Sequence, residues 1–489
     1  MQPFPWRGST FTLCDYVVTV ATTLAQPGWS PPVPGPRRSA RPARPTPTRV
    51  RLIAAILTVA LLALMAVTAA AFFQTRARAQ TVTSRAATAA TAGDLYFALA
   101  DLDAEAARLV LLGDGDFQGA GDGTFAGNQL SALSAYNTRT SQVDADLQAL
   151  ATANQTTTAV GQTATAANQT AAAAHQTTTS AHRSSSTSAL AAEVTRYRST
   201  ADAAIGLDEF PGAFAGSPTP TAIGYYGRAE TLMHDVVLPA AAQLREDTAA
   251  ASTSAASDAH LWALAGLIGT LVLGVVAVGA LIIAQRAFAS WYRRLLNPAL
   301  LAATAITVAL VGGALVALTS ASQDANAAGA RLGAYLQVVK TRADSYDVDG
   351  AAVRSVLMPF LDSSVVTRQA QTVDTELKAL GSVGGSSAQL WNHGPDADYA
   401  LIHTDAADGD TAGALSVETG TARHEDAFDF FDYDQGLQKI SESRLAAFEQ
   451  ASGSLTDNLG PWLWLPWAMA GAALLLVGLG IRPRLAEYR

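Results

Sequence analysis

Four apolar runs, at residues 52–73, 261–284, 299–320 and 462–481, contain no Asp, Glu, Lys, Arg or His. Each is long enough to cross a hydrocarbon core of ~30 Å as a helix. The middle two are separated by a short stretch, Gln285 to Pro298, that carries Arg286, Arg293 and Arg294 and no acid. Two long polar segments, 74–260 and 321–460, lie between the members of each pair. The pattern predicts an all-α membrane protein: four transmembrane helices, two extracytoplasmic helical-bundle domains, and two pseudo-duplicated halves joined by a basic turn.

Within the first polar segment, Leu95, Leu99, Leu102, Ala106 and Leu109 recur at steps of three and four, as do Leu130, Leu133, Tyr136, Thr140, Val143, Leu147 and Leu150. That spacing places apolar side chains on one helix face. Two antiparallel helices joined by the Gly-rich stretch 111–127 are expected. The stretch 154–181 is a fourfold heptad repeat with Gln155, Gln162, Gln169 and Gln176 in register. It has almost no large apolar residue to bury, so it reads as a helical or disordered insert without chemistry. A helix through Tyr226, Met233, Val237 and Leu244 contains Pro239, which predicts a kink above the membrane. In the second segment, a seam from Leu332 to Val356 should end near Pro359. Helices are expected over 365–380 and 434–454, separated by a loop and an acidic stretch, 396–434.

Charge sets the orientation. Residues 1–51 hold seven Arg against one Asp, and the tail 482–489 holds three Arg against one Glu. Segment 74–260 has 10 basic and 18 acidic residues, and segment 320–460 has 9 and 21. Because basic residues flank spans on the cytoplasmic side, both termini and the central turn should lie inside, in a multi-pass plasma-membrane protein. Residues 1–51, rich in Pro and Arg, read as a disordered arm. The first run, at 22 residues, is too long for a signal-peptide core and reads as a retained anchor.

The halves also share short matches. Asp101-Leu-Asp-Ala-Glu-Ala-Ala-Arg108 aligns with Asp347-Val-Asp-Gly-Ala-Ala-Val-Arg354, and Val143-Asp144-x-Asp146-Leu147 aligns with Val373-Asp374-x-Glu376-Leu377. Arg108 and Arg354 thus occupy equivalent places, and a bridge from each to the acid on its neighbouring helix, Asp144 and Asp374, is expected. Anion or partner contact by these arginines is the sharper alternative.

Candidate chemistry is sparse. Asp114, Asp116 and Gly119 match EF-hand positions, but Phe125 stands where the bidentate Glu belongs. Asp405, Asp408 and Asp410 with Glu418 fit no EF-hand and leave room only for a loose surface cation site. The seven His form no HxxxH or HExxH pair, and the one Cys, Cys14, has no companion. No catalytic residue, cofactor, metal or nucleic-acid partner is expected, and the lipid bilayer is the first partner.

The four spans, the two large outside segments, the Ala-rich and Lys-poor composition and the repeated D-x-D-x-x-A-x-R pattern together resemble the GlnX-type transducers of actinobacteria. The resemblance covers roughly 52–489. It implies a non-enzymatic relay between an extracytoplasmic amino-acid-binding lipoprotein and a cytosolic Ser/Thr protein kinase, with Arg286, Arg293 and Arg294 as the expected output surface. The alternatives are a structural or accessory subunit of an envelope or ABC-type complex, and a chemoreceptor-like sensor that binds its ligand directly, between helices, with Arg and aromatic side chains.

Overall fold

A computed structural model describes residues 47–113, 124–167, 171–208, 215–292, 297–358, 363–380, 398–420 and 425–486. The N-terminal arm up to residue 46, the core of the Gly-rich stretch, the loop after residue 380, and both Arg293 and Arg294 lie outside the described residues.

The described residues are almost entirely helical, with no strand among them. In chain order the helices are α1 (Pro47–Leu112), α2 (Thr124–Ala167), α3 (Ala171–Asp208) and α4 (Pro220–Leu232). A π turn (Met233–Val237) leads into α5 (Leu238–Tyr292). Then come α6 (Pro298–Leu357), α7 (Ser363–Leu380), α8 (Asp398–Asp408), α9 (Thr411–Thr419), α10 (Asp426–Asp457) and, after a short 3-10 turn, α11 (Leu465–Ala486). Four of these stretches are long and apolar enough to cross a membrane: those within α1, α4–α5, α6 and α11.

Three of the four apolar runs are only one part of a much longer helix. At a rise of about 1.5 Å per residue, the 66-residue α1 extends for about 100 Å, three times the hydrocarbon thickness. In α1 and α6 no Pro separates apolar run from polar seam, and the glycines between them, Gly93 and Gly329, do not interrupt the helix, so one rod carries both. The start of α6 has a local cause: the Asn297 side chain accepts from the Ala299 N–H, and Pro298 occupies the first turn, where its missing N–H costs nothing. Its end does too, since Met358 precedes Pro359 and leaves the helical region at φ −134°, ψ 74°.

At the apolar end, Leu57, Leu61, Leu281, Leu300, Val477 and Ile481 pack together. Val59, Ile268, Val275, Ile283, Val316 and Leu475 face outward. That is the arrangement lipid requires, because hydrocarbon solvates Val and Leu as well as the protein interior does. Helices approach closely through small residues: a Cβ on Gly274 would stand 2.6 Å from Val311, and one on Gly313 2.6 Å from Trp462. Trp462 stacks on Phe72 at 4.9 Å.

Beyond this end, segments 74–260 and 321–460 contribute to one apolar cluster. Leu95, Leu99 and Leu102 of α1 meet Tyr197, Tyr226, Leu332, Tyr335 and Val353 there. Each fully buried Leu contributes about 1.5–3 kcal/mol relative to exposure. A smaller cluster joins α6, α7 and α10 through Val348, Val373, Phe430 and Leu437. Just before Pro239, where a kink is expected, the chain holds a π turn at Met233–Val237. A proline two residues beyond that turn has no N–H for the carbonyl one turn back, and a widened turn accommodates its ring. The heptad insert is helical over 154–167 and from 171 onward. The acidic stretch holds α8, α9 and the first two turns of α10, which starts at Asp426 instead of 434.

Candidate functional site

The acids of the D-x-D motif lie on or beside the apolar stripe of α1, because Asp103 falls four residues after Leu99 and three before Ala106. Burial of a carboxylate at such a place requires a partner from another element. The partners come from the crossing of α1 with α6, where Gly350 lets the helices approach: a Cβ there would lie 3.2 Å from the Ala104 Cα.

The ion pairs at this crossing are reciprocal. Arg108 of α1 donates to Asp349 of α6 at 3.2 Å, and Arg354 of α6 donates to Asp103 of α1 at 2.8 Å. This corrects the pairing expected from the sequence. Asp144 bonds Arg198 of α3, not Arg108, and Asp374 bonds Lys378 on its own helix, not Arg354. The reason is geometric: the close approach at Ala104 and Gly350 puts each arginine within reach of the other motif's second acid.

Around Arg354 the acids are matched more closely, by the guanidinium and by His234. Asp103 and Asp347 face Arg354 and His234, and the Tyr197 hydroxyl also donates to Asp103 at 3.1 Å. His234 sits in the π turn, so the widened turn delivers its imidazole, 3.1 Å from Asp103. Burial alone would push the Asp103 carboxyl up. The hydrogen bonds from His234 and Tyr197 and the Arg354 charge outweigh it and hold the carboxyl below its usual range.

Around Arg108 the acids are in surplus. Its guanidinium meets Glu418 of α9 at 2.7 Å and Glu105 at 3.3 Å, besides Asp349, with Asp426 of α10 at 4.0 Å. Four carboxyls share one base. Burial pushes Glu418 up to about 8 although Arg108 pulls the other way. It likewise pushes Glu105 up to about 7, and Asp426 is driven well above the carboxylate range by burial and then by Asp349 and Glu418. Asp349, Glu418 and Asp426 are all buried and each offers an oxygen within 4.8 Å of the other two. A cavity of about 220 Å³ lined by Glu105, Arg108, Tyr346, Glu418 and Phe430 adjoins them.

Comparison with family models, with curated proteins and with solved structures finds no match. The site therefore stands on its geometry alone.

Two further pairs extend the polar core along the same helices. Arg139 bonds Asp101, and Arg342 holds Asp434 through two bonds at 2.8 and 2.9 Å. Both guanidiniums lie over the Phe97 ring, at 5.0 and 4.2 Å. Of the expected output residues, Arg286 is exposed near the end of α5. The sequence reading singled out Arg108 and Arg354 but missed Asp103, His234, Asp349 and Asp426, and took Glu418 for a surface acid. An acid in step with a leucine stripe was the available signal for Asp103. Nothing local distinguished Glu418 from the other acids of its stretch.

Proposed function

We propose that the chain is a non-enzymatic membrane signal transducer of two pseudo-duplicated halves. In this reading the polar segments lie outside the cell, both termini lie in the cytoplasm, and the turn with Arg286, Arg293 and Arg294 faces a cytosolic effector. One observation carries the proposal. Helices α1 and α6 each run without interruption from an apolar stretch to the ion cluster, and His234 ties the head of α5 to the same cluster. A change in the charges at the crossing acts on three membrane helices at once, and packed helices answer such changes by discrete shifts instead of gradual bending. The resemblance to GlnX-type transducers gives the partners their classes: a solute-binding lipoprotein outside and a Ser/Thr kinase inside.

Affinity purification from mild detergent, with identification of the captured proteins, tests this. The wild-type chain should carry both a solute-binding lipoprotein and a kinase. A chain with R286Q, R293Q and R294Q together should keep the lipoprotein and lose the kinase. Capture of a transport ATPase in place of both, unaffected by the triple substitution, would favour the accessory-subunit reading and sink the relay.

A specific feature favours direct sensing as the second reading. An open cleft of about 420 Å³ where α3, α4 and the π turn meet is lined by Arg196, Arg228 and Tyr225 with one acid, Asp235, so that its two guanidiniums leave a net positive surface for a small anion.

A further inference from the structure

We propose that Asp349, Glu418 and Asp426 form a binding site for a divalent calcium ion. The three acids come from α6, α9 and α10 and are all but inaccessible to solvent. Their reach fits the ion. Three atoms no more than 4.8 Å apart have a common point within about 2.8 Å of each, so small side-chain movements reach the usual calcium–oxygen distance of about 2.3–2.6 Å. Magnesium, which needs about 2.0–2.1 Å and strict octahedral geometry, would require a larger contraction. An all-carboxylate donor set excludes the softer metals as preferred occupants.

Independent of the clustering, no hydrogen-bond donor reaches Asp349 Oδ1 or Glu418 Oε2, although both oxygens are buried. Buried carboxylate oxygens are ordinarily satisfied, because leaving them bare forfeits hydration without return. Arg108 already engages the other oxygen of each, Asp349 Oδ2 and Glu418 Oε1. The orphan oxygens are thus what a cation would take, with the guanidinium left in place. The charges agree: Glu105, Asp349, Glu418 and Asp426 exceed Arg108 by three negative charges when ionised, and a divalent ion reduces the excess to one. The adjoining cavity, which reaches Glu418, gives the ion a way in and space for the waters that complete its shell. The equivalent acids at the other end of the crossing, Asp103 and Asp347, take Arg354 and His234 and have no such vacancy for a metal.

The site does not depend on the transducer reading. If bound, the ion ties α9 and α10 to α6, and so fixes the second polar segment against a helix that continues into the apolar end.

The test is equilibrium dialysis of the full-length chain in detergent against radioactive calcium after chelation, with thermal unfolding followed in parallel. One ion per chain is expected with half-saturation at about 0.1–1 mM, the range in which extracellular calcium modules work, with an unfolding temperature that rises by a few degrees. E418Q and D349N should each abolish binding. Circular dichroism in chelator should show both variants as helical as the wild type, so that lost binding is not lost folding. D408N, at an exposed acid of the same stretch, should bind as the wild type does. No calcium binding by the wild type, unchanged binding in E418Q and D349N, or loss in D408N would each overturn the proposal. Stabilisation of the wild type by acid alone, without calcium binding, would instead assign the cluster to protons.

Discussion

The two ends of the α1–α6 crossing begin from the same eight-residue pattern and end in different states. At one end Arg354 faces two acids with His234 beside it, and Tyr197 completes the hydrogen bonding. At the other Arg108 faces four acids alone. The difference lies in what packs against each arginine. The π turn brings a base to the first end, whereas α9 and α10 bring two further acids to the second. A closed ion cluster is a structural joint, while the one with surplus acid is where we propose that calcium binds. The comparison also explains why a motif pair can be equivalent in sequence and unequal in role.

The largest expected effect comes from opening the closed end. R354M removes the guanidinium and leaves Asp103 buried with only His234 and Tyr197. A loss of about 3–5 kcal/mol in unfolding free energy is expected, measurable by denaturant unfolding of the detergent-purified chain. The second largest comes from forcing the crossing apart. In G350A the new methyl would lie 3.0 Å from Arg354 Nη1 and 3.2 Å from the Ala104 Cα, which is backbone and cannot turn aside. A cost of about 1–3 kcal/mol follows. G333A on the same helix meets nothing within 4 Å and should be neutral or up to about 1 kcal/mol stabilising.

The smallest effect is a pH dependence at a shallower surplus acid. Asp146 on α2 has a buried oxygen without a donor, and burial, then the charge of Asp94, pushes its carboxyl up to about 7. A carboxyl raised in the folded state favours folding in acid. That contribution is lost as pH rises from about 4, the unfolded value, through about 7. D146N should therefore match the wild type at acid pH and exceed it in alkaline solution. Because Asp146 is only partly buried, solvent limits the gain to less than about 1 kcal/mol. Unfolding at both pH values checks the sign.

Much of the fold was legible in the chain. The four apolar runs, the seams at Leu95–Leu109 and Tyr136–Leu150, and the helix end before Pro359 are all local signals. Each depends on neighbours three or four residues away, which sequence displays directly. Leu130 and Leu133, expected in the second seam, are instead exposed, and Ala132 is buried in their place. The ion partners were not legible, because they depend on where two helices cross. Asp144 stands next to Arg108 in the antiparallel helix scheme that the seams imply, yet the close contact at Gly350 sends Arg108 to α6 instead. The short α8 and α9, of 11 and 9 residues, offer too few turns for a periodic stripe to emerge from an acidic background. Their inward turn, which buries Glu418, is a tertiary event. The motif arginines were found because they recur, and their surroundings were missed because those do not.

The reciprocal pairing at the crossing is the claim on which the rest depends, and a double-mutant cycle between Asp103 and Arg354 tests it most directly. Single and double substitutions to Asn and Met, followed by unfolding free energies, should give a coupling of about 1.5–5 kcal/mol, as for a close buried charge pair, and none within error for Arg354 with Asp374. Coupling of Arg354 to Asp374, with none to Asp103, would contradict the crossing.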